Sequence, residues 1–261
     1  MDNRYTKWAA TTSFSTDQLL KQAAGKPLSQ PENVTYEVEH NMTLQAQLDD
    51  FKAQFKTMAP EGAFEAFARS TRELIDSGQS ERALKAGDAV PDFVLTDSDR
   101  NNVALKDLLA NGPVVLTFYR GVWCPYCNIE LKALEAVAED IRSRGATLVA
   151  ISMQGAADSR KSQKDNDLSF PILTDKNGEL AEKLGIRWTL QDYVIPVHDG
   201  FGVHLPRIHG DGQWNLPMPA RYVVDTDGKI AYAEVNPDYT RRPEPADLFP
   251  VLDSLAATAT A

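Results

Sequence analysis

Cys124 and Cys127 are the only two cysteines of a 261-residue chain, and they stand three positions apart in "FYRGVWCPYCNIEL". A thiol pair at this spacing can attack an oxidant, bind metal or simply pack. The stretch before it, "VVLTFY", reads as a buried strand rich in β-branched residues. Pro125 suits the first position of a helix that Cys124 would open. A helix start carries partial positive charge and free N–H groups, which favour a thiolate over a thiol. Spacing of three sets Cys127 one turn on, on the same face, so the two sulfurs can join and part without moving the fold. Arg120 could supply positive charge to a thiolate or to a leaving oxygen, or it could be a solvated turn residue. Trp123 and Tyr126 flank the pair and could do no more than pack.

Two competing uses of the cysteines need ligands or burial. Structural zinc needs four Cys or His ligands, and His40, His198, His204 and His209 show no matching spacing. His198, His204 and His209 with Asp199 and Asp211 could still form a separate metal site. Two buried, inert cysteines remain the other alternative. No cofactor is called for.

The elements that must position the pair follow from periodicity. Residues 1–42 are polar and weakly patterned, with a short capped helix in "STDQLLKQAAG" and a linker after it, which together make an arm. Over 43–83, Leu44, Leu48, Phe51, Phe55 and Met58 form one helical stripe, and Phe64, Phe67, Thr71 and Leu74 form a second. That helical extension packs on the chain's own main domain or, alternatively, makes a subunit interface in a homodimer. From 84 to 261, strand and helix patterns alternate. A strand lies near Phe93–Thr96, and "VVLTFY", "ATLVAISM" and "FPILTD" are further strands. One helix runs from the cysteines to Gly145, with Leu131, Leu134, Ala138 and Ile141 on one face. Residues 186–219 read as a long irregular loop. "ARYVVD" and "KIAYAEV" make a hairpin, and Pro250 should kink or shorten the closing helix. The fold class is α/β, a mixed sheet with helices on both faces.

Composition excludes several functions. Hydrophobic residues at 43% and charged residues at 25% are ordinary for a soluble globular chain. A net charge of −10 disfavours nucleic acid as a partner. No apolar run approaches the roughly 18 residues of a membrane span, and the start of the chain lacks a signal-peptide core. The expected compartment is the cytoplasm, where thiols stay reduced unless they turn over.

"KAGDAVPDFVLTD", "VVLTFYRGVWCPYC", "LVAISMQ", "FPILTD", "ARYVVDTDGKIAYAEV" and "NPDYTRRPEPADLF" together resemble the peroxiredoxin-like branch of the alkyl hydroperoxide reductase and thiol-specific antioxidant family. The resemblance runs from about Leu84 to Leu255 and implies a thioredoxin-like core. In that register Cys127 takes the position of the attacking cysteine, Cys124 replaces the usual Thr or Ser, and Arg120 replaces the usual Pro. The family's activating Arg falls on Pro219, with Arg221 two residues away. The thioredoxin core further implies a cis proline facing the cysteines, at Pro219.

Two orders of events remain open. Cys124 could be the exposed nucleophile with Cys127 resolving, as in a thioredoxin. Alternatively, Cys127 could attack a peroxide and Cys124 condense with its sulfenic acid. Both end in a Cys124–Cys127 disulfide that an external thiol donor must reduce. The expected function is therefore a thiol-dependent peroxidase acting on hydroperoxides. A thioredoxin-like disulfide reductase and a non-catalytic redox sensor, binding a partner through the 43–78 helices, are the alternatives.

Overall fold

The structure, a computed structural model, describes residues 42–259. The helix and linker expected before residue 42 lie outside the described residues.

Helix α1 (Leu44–Met58) begins where Thr43 Oγ1 accepts a hydrogen bond from the Ala46 N–H at 3.2 Å, satisfying one free donor of the first turn. It stops at Ala59, which is extended, as the following Pro60 favours. Helix α2 (Ala63–Asp76) follows Gly62, whose φ of 77° suits only glycine well. Phe55 meets Phe64 and Phe67, joining the two helices through their rings. Leu44 and Leu48 are buried, whereas Met58, the last residue of the expected stripe, is 43% exposed.

The chain then runs through β1 (Val94–Asp97), β2 (Asn102–Ala104), α3 (Leu105–Leu109), β3 (Val114–Phe118), α4 (Pro125–Glu135), α5 (Ala138–Ser143), β4 (Thr147–Ser152), α6 (Ala156–Asp165), β5 (Ile172–Thr174) and α7 (Glu179–Lys183). It continues with β6 (Arg187–Thr189), α8 (Ile195–Gly200), α9 (Leu205–His209), β7 (Asn215–Pro217), β8 (Ala220–Val224), β9 (Ile230–Val235) and α10 (Leu248–Ala259). The main sheet has the order β2-β1-β5-β4-β3-β8-β9, with β3, β4 and β5 parallel and the flanking pairs antiparallel. This is the mixed, thioredoxin-like sheet expected.

All five residues of β3 are buried, as a strand covered on both faces requires. Val114, Leu116 and Phe118 face one core with Leu74 and α7, while Val115 and Tyr119 face the other with α1, α4 and α10. The period of two thus sends alternate side chains into two cores. The second core contains both cysteines, and α1 closes it with Leu44 and Leu48. Glu244 fastens that closure by accepting from the Leu44 and Gln45 N–H groups at 2.9 and 3.0 Å. A carboxylate on free helix-start donors is stabilising there.

Four expectations are corrected. Residues 186–219 are not an irregular loop: β6 pairs antiparallel with β7, and Leu190, Val194, Val203, Leu205 and Leu216 make a small core of their own. The helix begun by the cysteines breaks at Val137, which leaves helical geometry (φ −116°, ψ 9°) before α5. Pro250 does not kink α10. It sits in the first turn, behind a short 3-10 turn capped by Glu244, where its missing N–H has no intrahelical role.

Pro219 is the fourth, because every peptide bond among the described residues is trans. Met218 N–H donates to Ile186 O at 2.7 Å, and Asn236 N–H donates to Pro219 O at 3.1 Å. The chain is thus held on both sides as it passes from β7 to β8, and trans is the lower-energy isomer.

Leu48, 0% exposed, should behave as a core residue of α1. Leu48→Ala should cost about 2–5 kcal/mol in urea unfolding, and an unchanged midpoint would contradict the packing of α1 on the cysteine helix.

Candidate active site

The turn between β3 and α4 has little freedom. Gly121 has φ 145°, and a Cβ there would lie 2.5 Å from Trp123 Nε1. Val122 N–H donates to Gln154 Oε1, and Asn128 Nδ2 donates to Val122 O, both at 2.8 Å. These buried side chains clamp the turn from two sides. Cys124 then caps α4 in an extended conformation, with Pro125 at the helix start, as its fixed φ favours.

Both thiols are free and almost wholly covered, Cys124 at 1% and Cys127 at 0% exposure. The expected exposure of Cys124 is therefore corrected: α1 and the 236–244 segment pack over the site. Cys127 Sγ accepts from the Arg120 N–H at 3.4 Å and from Arg242 Nη2 at 3.7 Å. Arg120 Nη1 stands 4.0 Å from Cys124 Sγ.

Burial alone would raise both thiols. At Cys124 the hydrogen bond from the Cys127 thiol and the charges of Arg120 and Arg242 outweigh burial, and the pKa falls to about 6. At Cys127 burial, donation to Cys124 and the negative charge of Cys124 act together, and its pKa rises well above the ordinary value. The two thiols titrate as one interacting pair, and both shifts favour placing its first negative charge on Cys124.

Behind the sulfurs lies a buried ion triad. Glu130, one turn past Cys127, pairs with Arg221 Nη2 at 2.9 Å and with Arg242 Nε. All three side chains are at most 3% exposed. Arg221 also donates to the Pro243 and Glu244 carbonyls, and Arg242 to those of Tyr239 and Arg241. Burial works against the Arg242 charge, but Glu130 and the thiols more than compensate and raise its pKa. Arg120 has no carboxylate partner among the described residues. Its guanidinium lies between the Tyr239 ring at 4.1 Å and the Trp123 ring at 4.8 Å, a cation–π sandwich.

The structure gathers most of the expected residues. Arg120 and Trp123 flank Cys124. Tyr126 packs edge-on against Phe51 and Tyr239. Pro219 lines a small cleft of about 10 Å³ with Arg120, Tyr239, Thr71, Leu74 and Trp188. Arg221 is linked to Cys127 only through Glu130 and Arg242. The histidines do not gather. His198 is buried against Phe67 and Trp123, and burial with the nearby Arg120 charge drives its pKa down to about 3. His204 caps α9, and His40 lies outside the described residues. Among the described residues no three His, Cys, Asp or Glu side chains form a metal-holding group.

Sequence reasoning missed Arg242, Glu130 and Tyr239. Glu130 had a signal: it is a carboxylate three residues after Cys127, on the buried face of α4. Arg242, beside the exposed Arg241, had none.

The AhpC/TSA family model matches residues 86–233. Peroxiredoxin Bcp of Escherichia coli is 26% identical over 149 residues, covering 57% of this chain and 84% of its own. Thiol-disulfide oxidoreductase ResA of Bacillus cereus is 25% identical over 151 residues, covering 58% and 69%. The crystal structure of peroxidoxin BcpB from Mycobacterium tuberculosis superposes with a TM-score of 0.52 at 25% identity, over 67% of this chain and 97% of that one.

Glu130→Gln should cost about 3–5 kcal/mol in urea unfolding, because it strands two buried guanidinium groups. A loss under about 1 kcal/mol, the value of an exposed pair, would mean that the triad is not buried in solution.

Proposed function

The chain belongs to the AhpC/TSA family and is an oxidoreductase, and from that premise we propose that it is a thiol-dependent peroxidase cycling through a Cys124–Cys127 disulfide. The single observation that carries this reading is the Arg120 guanidinium 4.0 Å from Cys124 Sγ, which with the Cys127 thiol favours a thiolate there. The Cys124 anion attacks the outer oxygen of a hydroperoxide. The O–O bond breaks, Cys124 becomes a sulfenic acid, and the leaving alkoxide takes the Cys127 thiol proton to depart as an alcohol. Arg120 lowers the barrier by countering charge on the departing oxygen. The Cys127 thiolate then attacks the sulfenic sulfur and displaces hydroxide, which takes a proton from solvent to become water. Two equivalents of an external thiol return the disulfide to the resting pair and leave as their own disulfide. A reducing compartment such as the cytoplasm supplies that donor.

Two observations favour variants of this reading. Cys127 also receives two donors, Arg120 N–H and Arg242, so the family register that makes it the attacker has a physical basis. The CxxC pair and the similarity to ResA favour disulfide exchange as a second activity. The sensor reading fits less well, because Leu44, Leu48 and Phe51 of α1 and Phe67 and Leu74 of α2 pack into the chain's own cores.

The experiment measures peroxide consumption and insulin-disulfide reduction side by side, with dithiothreitol as donor. The wild type should consume peroxide catalytically, Cys124→Ser should lose turnover, and Cys127→Ser should give one slow oxidation without a disulfide. Insulin reduction without peroxide consumption would overturn the peroxidase reading in favour of disulfide exchange.

A further inference from the structure

Arg221 and Arg242 share Glu130, whereas Arg120 has no carboxylate among the described residues. It is 5% exposed, and its Nε is buried with no hydrogen-bond partner there. Two rings hold its guanidinium instead, Tyr239 at 4.1 Å and Trp123 at 4.8 Å. An aromatic face attracts a cation, more strongly where water is excluded. The two rings are not equivalent. Trp123 stands in the clamped turn, edge-on to His198. Tyr239 stands on the other side, where with Arg120, Pro219 and Pro237 it lines the cleft of about 10 Å³. That cleft has room for about one water. With the Tyr239 ring in place, the guanidinium has nowhere else to go; without it, the cleft widens beside Arg120.

Tyr239 is itself fixed from several directions. The Tyr126 ring meets it edge-on, with centroids 5.3 Å apart. Its carbonyl accepts from Arg242 Nη1 at 2.7 Å. The next residue, Thr240, donates its N–H and hydroxyl to Asp238, and its two oxygens accept from Gln45 and Lys52 of α1 at 3.3 and 3.0 Å. Burial pushes the Tyr239 phenol up to about 12, so the ring is neutral at ordinary pH. Tyr239 also lies beyond residues 86–233, which the family model matches. We propose that Tyr239 is a positioning residue for the thiol chemistry, its ring face holding the Arg120 guanidinium against Cys124 Sγ, 4.0 Å from Nη1. This role deepens the reading of Cys124 as the attacking thiol and rests on it. The other groups that bear on the Cys124 charge are Cys127, Tyr126 and Arg242. Beside Arg120, His198 is held neutral, and Asp238 is engaged by Thr240 and Arg241. All of these remain when only the Tyr239 side chain is changed, as does the carbonyl that holds Arg242.

The experiment titrates thiolate absorbance in the reduced full chain and compares the midpoint of the first acidic step between variants. Tyr239→Leu removes the ring face and should raise that midpoint by about one pH unit. Tyr239→Phe keeps the face and should stay with the wild type. Arg120→Gln should raise the midpoint at least as far as Tyr239→Leu, because it removes the cation outright. In the Arg120→Gln background, Tyr239→Leu should then add nothing, since the ring acts only through the guanidinium. Should Tyr239→Leu fail to fold, Tyr239→Met fills the gap without a ring and is read in the same way. An unshifted midpoint in the ringless variant, a shift as large in Tyr239→Phe, or additive shifts in the double variant would overturn the proposal. The titration needs no peroxide. Shifts as expected in a protein that consumes no peroxide would therefore uphold the positioning role and refute the peroxidase reading alone. An acidic step that is absent from the wild type, or that survives in Cys124→Ser, would remove the Cys124 thiolate and the positioning role with it.

Discussion

Glu130 is the carboxylate on which the rest of the site depends. It sits on the buried face of the cysteine helix and pairs with two arginines that arrive from distant parts of the chain, Arg221 on β8 and Arg242 in the segment before α10. Without it, two guanidinium charges would lie in a core with no partner, a condition proteins do not tolerate cheaply. With it, Arg242 can be brought to 3.7 Å from Cys127 Sγ. One carboxylate therefore ties the helix, the central sheet and the C-terminal segment into a single electrostatic unit behind the thiols.

That unit explains the unequal thiols. Arg242 is tied to Glu130, which it shares with Arg221, whereas Arg120 has no carboxylate among the described residues and has Cys124 in front of it. The freer positive charge and the Cys127 S–H donor both act on Cys124, so the anion settles there. Burial then has two consequences. It strengthens each of these interactions by excluding water. It also limits access, since both sulfurs are almost wholly covered and pack in one core with residues of α1 and with Tyr239. The extension is thus part of the site's walls: Phe51 of α1 packs on Tyr126, and Thr71 and Leu74 of α2 line the cleft.

Much of this was legible in the sequence. The β-branched run before the cysteines, Pro125 at the helix start and the one-turn spacing were enough to place the thiols at the end of a central strand. The stripes of α1 and α2 were readable because each spans several turns. What failed was short or long-range. β6, β7, α8 and α9 are three to six residues each, too few for a period to register. Pro196 and Pro206 lie in the first turns of α8 and α9, where a proline is tolerated. Pro219 was assigned a cis bond by analogy, and pairing on both sides of it keeps the chain extended and trans. Arg242 could not be told from Arg241 because burial of one and exposure of the other is decided by Glu130, 112 residues away.

The central claim is that the resting anion lies on Cys124. Thiolate absorbance near 240 nm, followed across pH in the reduced protein and in each single Cys→Ser variant, tests it most directly. The account predicts one thiolate per chain appearing with a midpoint near pH 6, no second thiolate until well above the ordinary thiol range, and loss of the acidic step in Cys124→Ser. An acidic step that survives in Cys124→Ser and vanishes in Cys127→Ser would place the anion on Cys127 and contradict the account.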